Sequence, residues 1–595
     1  MSQLEIWQEE YIRSIEKINA LSFLPEAETV QQLQQQVQQQ QCQARQMVEA
    51  NTALIRDRLF PVLEAVSRAS QQELDTLAEF AQALTRGNRP DNGIALHIHE
   101  SLLTVARSRH DRQMLLRELY ECGMCTFYQL TTPSAYAVPE DWLRQMRLYF
   151  REAASYLRIY DQIPSTEARG YIHRAMGNLA LTYGRNDLPK KLRAVNDSLR
   201  VLSDLRYHEK TPDLPWDRFL YATHQERTTM LYFLRSGTTT PEVVAQVMDS
   251  AQYVYSLQVQ RAQQQGKPLE PKWRNVYNSA LFFSGITDVE TFLNTFIECY
   301  RNADENDFSA NGLFANIDTT AYLMDTIHDF ADDKERYYPI ADEMLRHSLH
   351  YIARLPKNVQ LHKTVERLLS GFNEFPGSMT LTELFCHLAP LTARDLYLHS
   401  IVCGEFAKYL VQLAARENPA LLQDLSGMDA EDMAYRAGVL HDIGLLQFPR
   451  VYLYPSRQPL QAEWELKEIH CNFGSHLASR APSAQALADA IGGHHWPDCP
   501  RSLYCREADK APILTDILRL ADALSECVAP ECPNTSNSQP VDEYIHTLEV
   551  DVDNAFPPEL VLLVLRHEAE LAAVQEKIKE IAYQKLFDSM NTQLL

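Results

Sequence analysis

Seven side chains that commonly bind metal ions recur in the last third of this 595-residue chain: His399, His441, Asp442, His470, His494, His495 and Asp522. Imidazole nitrogens and carboxylate oxygens hold Mn, Fe or Zn and can leave coordination positions open for a reacting water. Seven such groups exceed what one ion needs, so the pattern predicts a two-metal site, a common arrangement for hydrolysing phosphate esters. The last three intervals between them, of 24 to 28 residues, each have room for one or two helices.

The segments around these side chains carry a family resemblance. Their sequences are AGVLHDIGLLQFP, LKEIHCNFGSHLA, ADAIGGHHWP and ILRLADALSE, and the segment FPPELVLLVL follows. In order and spacing, residues 380–570 resemble the HD-GYP branch of the HD-domain metal-dependent phosphohydrolases. Members of that branch hydrolyse cyclic dinucleotides, chiefly cyclic di-GMP. The resemblance therefore implies a cyclic-dinucleotide phosphodiesterase.

The resemblance also divides the ligands into two sets that share one residue: His399, His441, Asp442 and Asp522 for a first ion, and Asp442, His470, His494 and His495 for a second. It implies divalent transition metals, with Fe or Mn favoured, and catalytic roles for His441 and Asp442. Asp395 lies one helical turn before His399. Some members carry Glu at that place and bind a third ion, so Asp395 is a candidate ligand for a third metal.

Two places depart from the family pattern where a substrate would bind. Leu445 stands where the family usually has Lys, and the segment HHWPDCPRSLYC lacks the sequence Gly-Tyr-Pro. Arg501, Arg506 and Lys510 are candidates to supply the missing positive charge near the phosphate. The departures keep open a second hypothesis, a signalling adaptor whose degenerate HD domain binds a nucleotide or a protein without turnover. An HD phosphatase acting on mononucleotides is a third hypothesis, because the ligands specify phosphate chemistry and not the base.

The elements that must position these ligands are predicted to be helices, because apolar residues recur every three or four positions and strand-like alternation is rare. We predict an all-α chain with an N-terminal helix and Gln-rich segment (1–69), a tetratricopeptide-like helical-repeat region (70–370), an HD-domain bundle (380–570) and a C-terminal helix (571–595). For the Gln-rich stretch 31–46, a helix or coiled-coil linker is favoured over a disordered tether. The helical-repeat region is expected to sense an input, bind a protein partner or form a homodimer.

Composition excludes several classes of protein. The net charge of −23 argues against a broad surface for a nucleic-acid polymer or an anionic membrane. No run of 18 apolar residues occurs, so no membrane span is expected. Eleven cysteines are spread through a chain without an export signal, which favours reduced thiols and a cytoplasmic location.

Overall fold

The structure of the chain is a computed structural model, and most of the chain is described here. The described residues are 3–86, 90–129, 140–163, 165–183, 189–191, 193–194, 197, 240–357, 359–425, 427–448, 452–495, 512–536, 539–548 and 556–593. Within these ranges the chain forms helices and connecting turns and no β-strand, which confirms the all-α prediction. In the same ranges, no helix combines the length and the apolar character needed to cross a membrane.

The α-helices, in chain order, are α1 Gln3–Leu21, α2 Val30–Leu54, α3 Phe60–Glu64, α4 Gln71–Arg86, α5 Asn92–Ser108, α6 Arg112–Tyr128, α7 Glu140–Ser155, α8 Thr166–Leu181, α9 Pro241–Gln265, α10 Pro271–Phe283, α11 Val289–Arg301, α12 Ala310–Leu313, α13 Thr319–Phe330, α14 Tyr338–Arg354, α15 Val359–Gly371, α16 Leu381–Thr392, α17 Arg394–Glu417, α18 Ala430–Leu440, α19 Gln461–Lys467, α20 His470–Ser479, α21 Ala488–Gly493, α22 Ile513–Val528, α23 Val541–Thr547, α24 Pro558–Arg566 and α25 Glu568–Gln593. Short 3-10 and π turns join or extend several of them. One 3-10 turn, Ile443–Gln447, follows α18 closely and matters for the site.

The chain divides into two compact units. One, here called the central unit, is residues 59–344. The other, here called the split unit, combines residues 1–58 with residues 345–595. In the central unit, helices α4 to α8 pack each against the next in sequence, and α6 also contacts α8. The tetratricopeptide-like repeat stays a prediction, and residues 198–239, which include part of its motif, lie outside the described residues.

Helix α17 forms the centre of the split unit and packs against α18, α22 and α25. Its closest neighbour is α18, and two glycines allow the close approach. A Cβ atom at Gly438 of α18 would lie 2.5 Å from the Cα of Gly404 in α17, too close for any side chain. The helix that contains His399 and the helix that ends before His441 therefore meet backbone to backbone.

The Gln-rich stretch is helical, as the sequence favoured, and lies within α2. Thr29 caps this helix by accepting a hydrogen bond from the backbone N–H of Gln32 at 3.2 Å. Its apolar side chains follow one helical face and are buried: Leu33, Val37, Ala44 and Val48. The helix packs against α1 and against the C-terminal helix α25 of the same unit.

Candidate metal centre

The predicted ligands lie at the ends and along the sides of helices in the split unit. His399 and Asp522 lie within α17 and α22, and His470 is the first residue of α20. His441 and Asp442 follow a helix and do not lie inside it. Helix α18 ends at Leu440, His441 caps it, and Asp442 leaves helical geometry with φ −100° and ψ 10° before the turn Ile443–Gln447 begins.

The carboxylate of Asp442 lies between two groups of imidazoles. Its Oδ1 atom is 2.8 Å from Nε2 of His470 and 3.5 Å from Nε2 of His494. Its Oδ2 atom is 3.4 Å from Nε2 of His441 and 3.8 Å from Nε2 of His399. Each oxygen of this side chain therefore faces a different pair of histidines, so Asp442 could contribute to both groups of candidate ligands.

Asp522 and His495 complete the two groups. The Oδ1 atom of Asp522 is 3.0 Å from Nε2 of His399 and 3.4 Å from Nε2 of His441. The ring of His495 lies 4.2 Å, centre to centre, from that of His494. The structure thus brings all seven side chains close together, and their division into two sets, one for each ion, stays a prediction.

Backbone carbonyl groups fix the orientation of four of these imidazoles. The Nδ1 atoms of His441, His470 and His494 lie 2.6 to 2.7 Å from the carbonyl oxygen three residues earlier in each case. The Nδ1 atom of His399 lies 3.0 Å from the carbonyl oxygen of Ala529. A carbonyl oxygen only accepts, so each Nδ1 must carry the proton and donate it. When the rings are neutral, Nε2 is then left as a lone pair that can bind a metal.

The four Nε2 atoms approach one another closely in pairs. Nε2 of His399 is 3.2 Å from Nε2 of His441, and Nε2 of His470 is 3.2 Å from Nε2 of His494. Two lone pairs at this distance repel each other unless a proton or a cation lies between them. The donor set and its orientation therefore fit two cations of the kind that nitrogen and carboxylate ligands bind.

Burial and mutual charge set the protonation of the cluster. Burial acts to raise the pKa of Asp442 and of Asp522, but the neighbouring histidines outweigh it and hold both pKa values well below the usual range. Burial lowers the pKa of His494 and His495. Burial also acts to lower the pKa of His399, but its hydrogen bond with Asp522 and nearby carboxylates raise that pKa to about 9. Both carboxylates are thus ionised near neutral pH, which is the state that binds a metal.

Further side chains surround the candidate ligands, and their proximity was not predicted from the sequence. Ser525 and Glu526 follow Asp522 by three and four residues on α22, and both approach Nδ1 of His399, at 3.1 Å and 3.6 Å. Their helical spacing from Asp522 is a signal that could have identified them. Cys471, beside His470, belongs to a group with His470, His494 and His495 that could hold a metal.

A largely buried ion pair lies next to the His470 side of the cluster. Lys467, whose carbonyl oxygen accepts from His470, pairs through its ammonium group with Glu531. Its ammonium nitrogen also lies 3.4 Å from Sγ of Cys532. The backbone N–H of Glu531 donates to Glu526 at 3.0 Å. Lys467 and Glu531 are separated by 64 residues, so their pairing was not visible in the sequence.

Other predicted residues lie apart from the cluster or outside the described part of the chain. Both carboxylate oxygens of Asp395 accept from Arg394, at 3.1 Å and 3.0 Å, and no metal-capable group of the described residues includes Asp395. The candidate substrate residues lie outside the described residues: Arg501, Arg506 and Lys510.

No family model matches the chain. The chain is 25% identical over 261 residues to 3′3′-cGAMP-specific phosphodiesterase 3 of Vibrio cholerae. It is similar, over part of its length, to a cyclic-dinucleotide phosphodiesterase. The match covers 42% of this chain and 55% of the relative, so the chain spans about half the length of the relative that it matches.

Proposed function

We propose that this protein is a metal-dependent phosphodiesterase that hydrolyses a cyclic dinucleotide at the cluster around Asp442. The observation that carries the proposal is the position of this carboxylate, with one oxygen facing His470 and His494 and the other facing His399 and His441. The similarity to a phosphodiesterase of a cyclic dinucleotide supports the reaction type.

Two divalent ions, with Fe or Mn favoured, would be held in two sets joined by Asp442: His399, His441 and Asp522 on one side, and His470, His494 and His495 on the other. When bound, such a pair supplies a water nucleophile at neutral pH and neutralises charge on the phosphodiester. The carbonyl partners of the Nδ1 atoms keep the imidazoles oriented, so the ligands need little reorganisation. No Ser or Cys nucleophile is then required.

The substrate would approach from the side of Asp522 and His495. The side chain of Asp522 is 14% exposed and His495 is partly exposed, whereas His399 and His441 are buried. This side is also acidic, because Glu526 is 36% exposed there. A phosphodiester anion would meet these carboxylates, so its binding depends on the charge of the bound ions.

Substrate identity and control are the finer parts of the proposal. Cyclic di-GMP follows from the family resemblance, and 3′3′-cGAMP is the dinucleotide in the name of the relative. Control would come from the central unit, through a signal, a protein partner or a second copy of the chain.

Hydrolysis of a cyclic-dinucleotide panel by Mn- and Fe-loaded protein tests this proposal. The panel contains cyclic di-GMP, 3′3′-cGAMP and cyclic di-AMP, and linear products are separated by chromatography. We expect turnover of at least one member, and the Asp442→Asn variant should lose both metals and the turnover. The matched control is Asp424→Asn, the same change at an exposed position of the same unit. Protein that holds two metals and cleaves no member would refute the phosphodiesterase.

A second candidate, the adaptor without turnover, is favoured by one observation. Leu445, at the place of the family's Lys, is fully buried in the turn after Asp442, so it offers no charge to a phosphate. Tight binding of a panel member without product, measured by calorimetry on metal-loaded protein, would select this candidate.

A further inference from the structure

The Gln-rich helix α2 forms a set of polar contacts with the elements that surround His399. These contacts join residues separated by about 350 to 490 positions in the chain, all within the split unit. Because α2 also buries a continuous apolar face in this unit, it is a packed element there.

The first contact is at the beginning of α17. Nε2 of Gln41 donates to Oδ1 of Asp395 at 2.8 Å. The guanidinium of Arg394 binds both oxygens of Asp395, and it also donates to the side chain of Gln40 and to the carbonyl of Phe23 at 3.2 Å. Arg394 and Asp395 are each 1% exposed, so this buried ion pair depends on its hydrogen-bond partners, whereas Gln40 and Gln41 are partly exposed.

The second contact is at the segment after α22. The guanidinium of Arg45 donates twice to the carbonyl oxygen of Pro533, at 3.1 Å and 3.0 Å. Pro533 lies four residues after Ala529, whose carbonyl oxygen accepts from Nδ1 of His399. The side chain of Arg45 thus holds the segment that orients the His399 ring.

The third contact is at the segment 452–458. Nδ2 of Asn51 donates to the carbonyl of Ser456 at 2.7 Å, and the backbone N–H of Gln458 donates to Thr52 at 2.8 Å. In the same segment the hydroxyl of Tyr454 accepts from the backbone N–H of Asp395 at 3.0 Å. Helix α2 and this segment therefore hold the start of α17 from two sides.

We propose that α2 is a clamp that positions His399, with Gln41 and Arg45 as its positioning residues. His399 lies one helical turn after Asp395, and its ring is fixed by Ala529, so the clamp holds both its backbone and its side chain. Loosening the clamp would disturb the ligand set of His399 and Asp522 and leave the set of His470 and His494 in place. The consequence for metal binding rests on the proposed function, whereas the clamp itself does not.

Full-length variants test the clamp. Gln41→Glu places a second carboxylate against Asp395, where like charges repel. Gln43→Glu is the matched control, since it makes the same change on an exposed face of the same helix. Hydrogen exchange followed by mass spectrometry should show faster exchange at residues 394–400 and 529–534 for Gln41→Glu, and no change for Gln43→Glu.

Metal retention gives a second readout. Metal-loaded Gln41→Glu should lose one of its two ions to a chelator at least about tenfold faster than Gln43→Glu does, in line with the usual effect of disturbing residues that orient ligands. The double variant Gln41→Glu with Asp395→Asn restores an amide–carboxylate pair in reverse order and should recover part of the retention.

The outcomes separate the two proposals. Equal exchange in Gln41→Glu, Gln43→Glu and the wild type would overturn the clamp, whatever the metal content. A wild-type protein that binds no metal would overturn the proposed function, while the exchange data would still decide the clamp.

Discussion

The close approach of Gly444 to the backbone of His470 gives a sharp test of the proposed two-metal site. Gly444 lies two residues after Asp442, in the turn Ile443–Gln447. A Cβ atom at this position would lie 2.0 Å from the carbonyl oxygen of His470 and 2.8 Å from the amide nitrogen of Gly474. Both are backbone atoms, so no side-chain rotation can relieve the contact in a Gly444→Ala variant.

The size of the displacement follows from these distances. Ordinary van der Waals contact begins at 3.4 Å, so the backbone at His470 must move by about 1.4 Å relative to the turn. Nε2 of His470 lies 2.8 Å from Oδ1 of Asp442. A metal site tolerates departures of only about 0.2 Å in its ligand distances, so the set around His470 should fail. The overpacking itself should cost about 1–3 kcal/mol of stability.

The assay is metal content per chain after loading and desalting, with thermal unfolding measured on the same samples. We expect two ions in the wild type and one in Gly444→Ala, with hydrolysis abolished. Gly170→Ala is the control, because its added Cβ would meet only a flexible Arg174 nitrogen at 3.8 Å. If Gly444→Ala kept two ions, its melting temperature and its activity, the close packing of the turn against α20 would be wrong.

Two further predictions concern buried charges. Lys467→Met leaves Glu531 largely buried without its partner and should lower the free energy of unfolding by about 3 kcal/mol. The double variant Lys467→Met with Glu531→Leu should recover most of this stability. Equal denaturant midpoints in the wild type, the single variant and the double variant would contradict the pairing. In the central unit, burial raises the pKa of Glu121, so the folded chain holds this proton more tightly than the unfolded chain and stability falls as pH rises through that pKa. The melting temperature of Glu121→Gln should therefore exceed that of the wild type at about pH 7.5 and equal it at about pH 4. A difference in melting temperature that stays constant across this pH range would show that the pKa of Glu121 is not raised.

Local patterns in the sequence identify the helices and the ligand types. The apolar spacing and the turn signals predict an all-α chain, and the described residues contain helices and no strand. The sequence pattern does not show that the helix before Asp442 ends at Leu440. Helix ends depend on capping and packing as well as on propensity, so periodicity alone locates them poorly.

The prediction of a helix for the Gln-rich stretch also rests on local sequence. The position of that helix in the fold depends on residues remote in the chain. Leu33 and Val37 show an apolar face that must be covered, yet nothing in that face says which helix covers it. The contact of Gln41 with Asp395 joins residues 354 positions apart, and such a pair has no signature in either segment.

The sequence by itself determined which candidate ligand atoms the site offers, because ligand atoms are a property of residue types and their order along the chain marks the family resemblance. Only the tertiary structure decided the direction of each ligand: Asp442 faces two pairs of histidines because α17 and α18 touch at Gly404 and Gly438 and because the turn at Gly444 packs on His470. It also decided that Asp395 binds Arg394 and Gln41. Such distances arise from the packing of elements remote in sequence, and packing depends on the shapes of all the partners together.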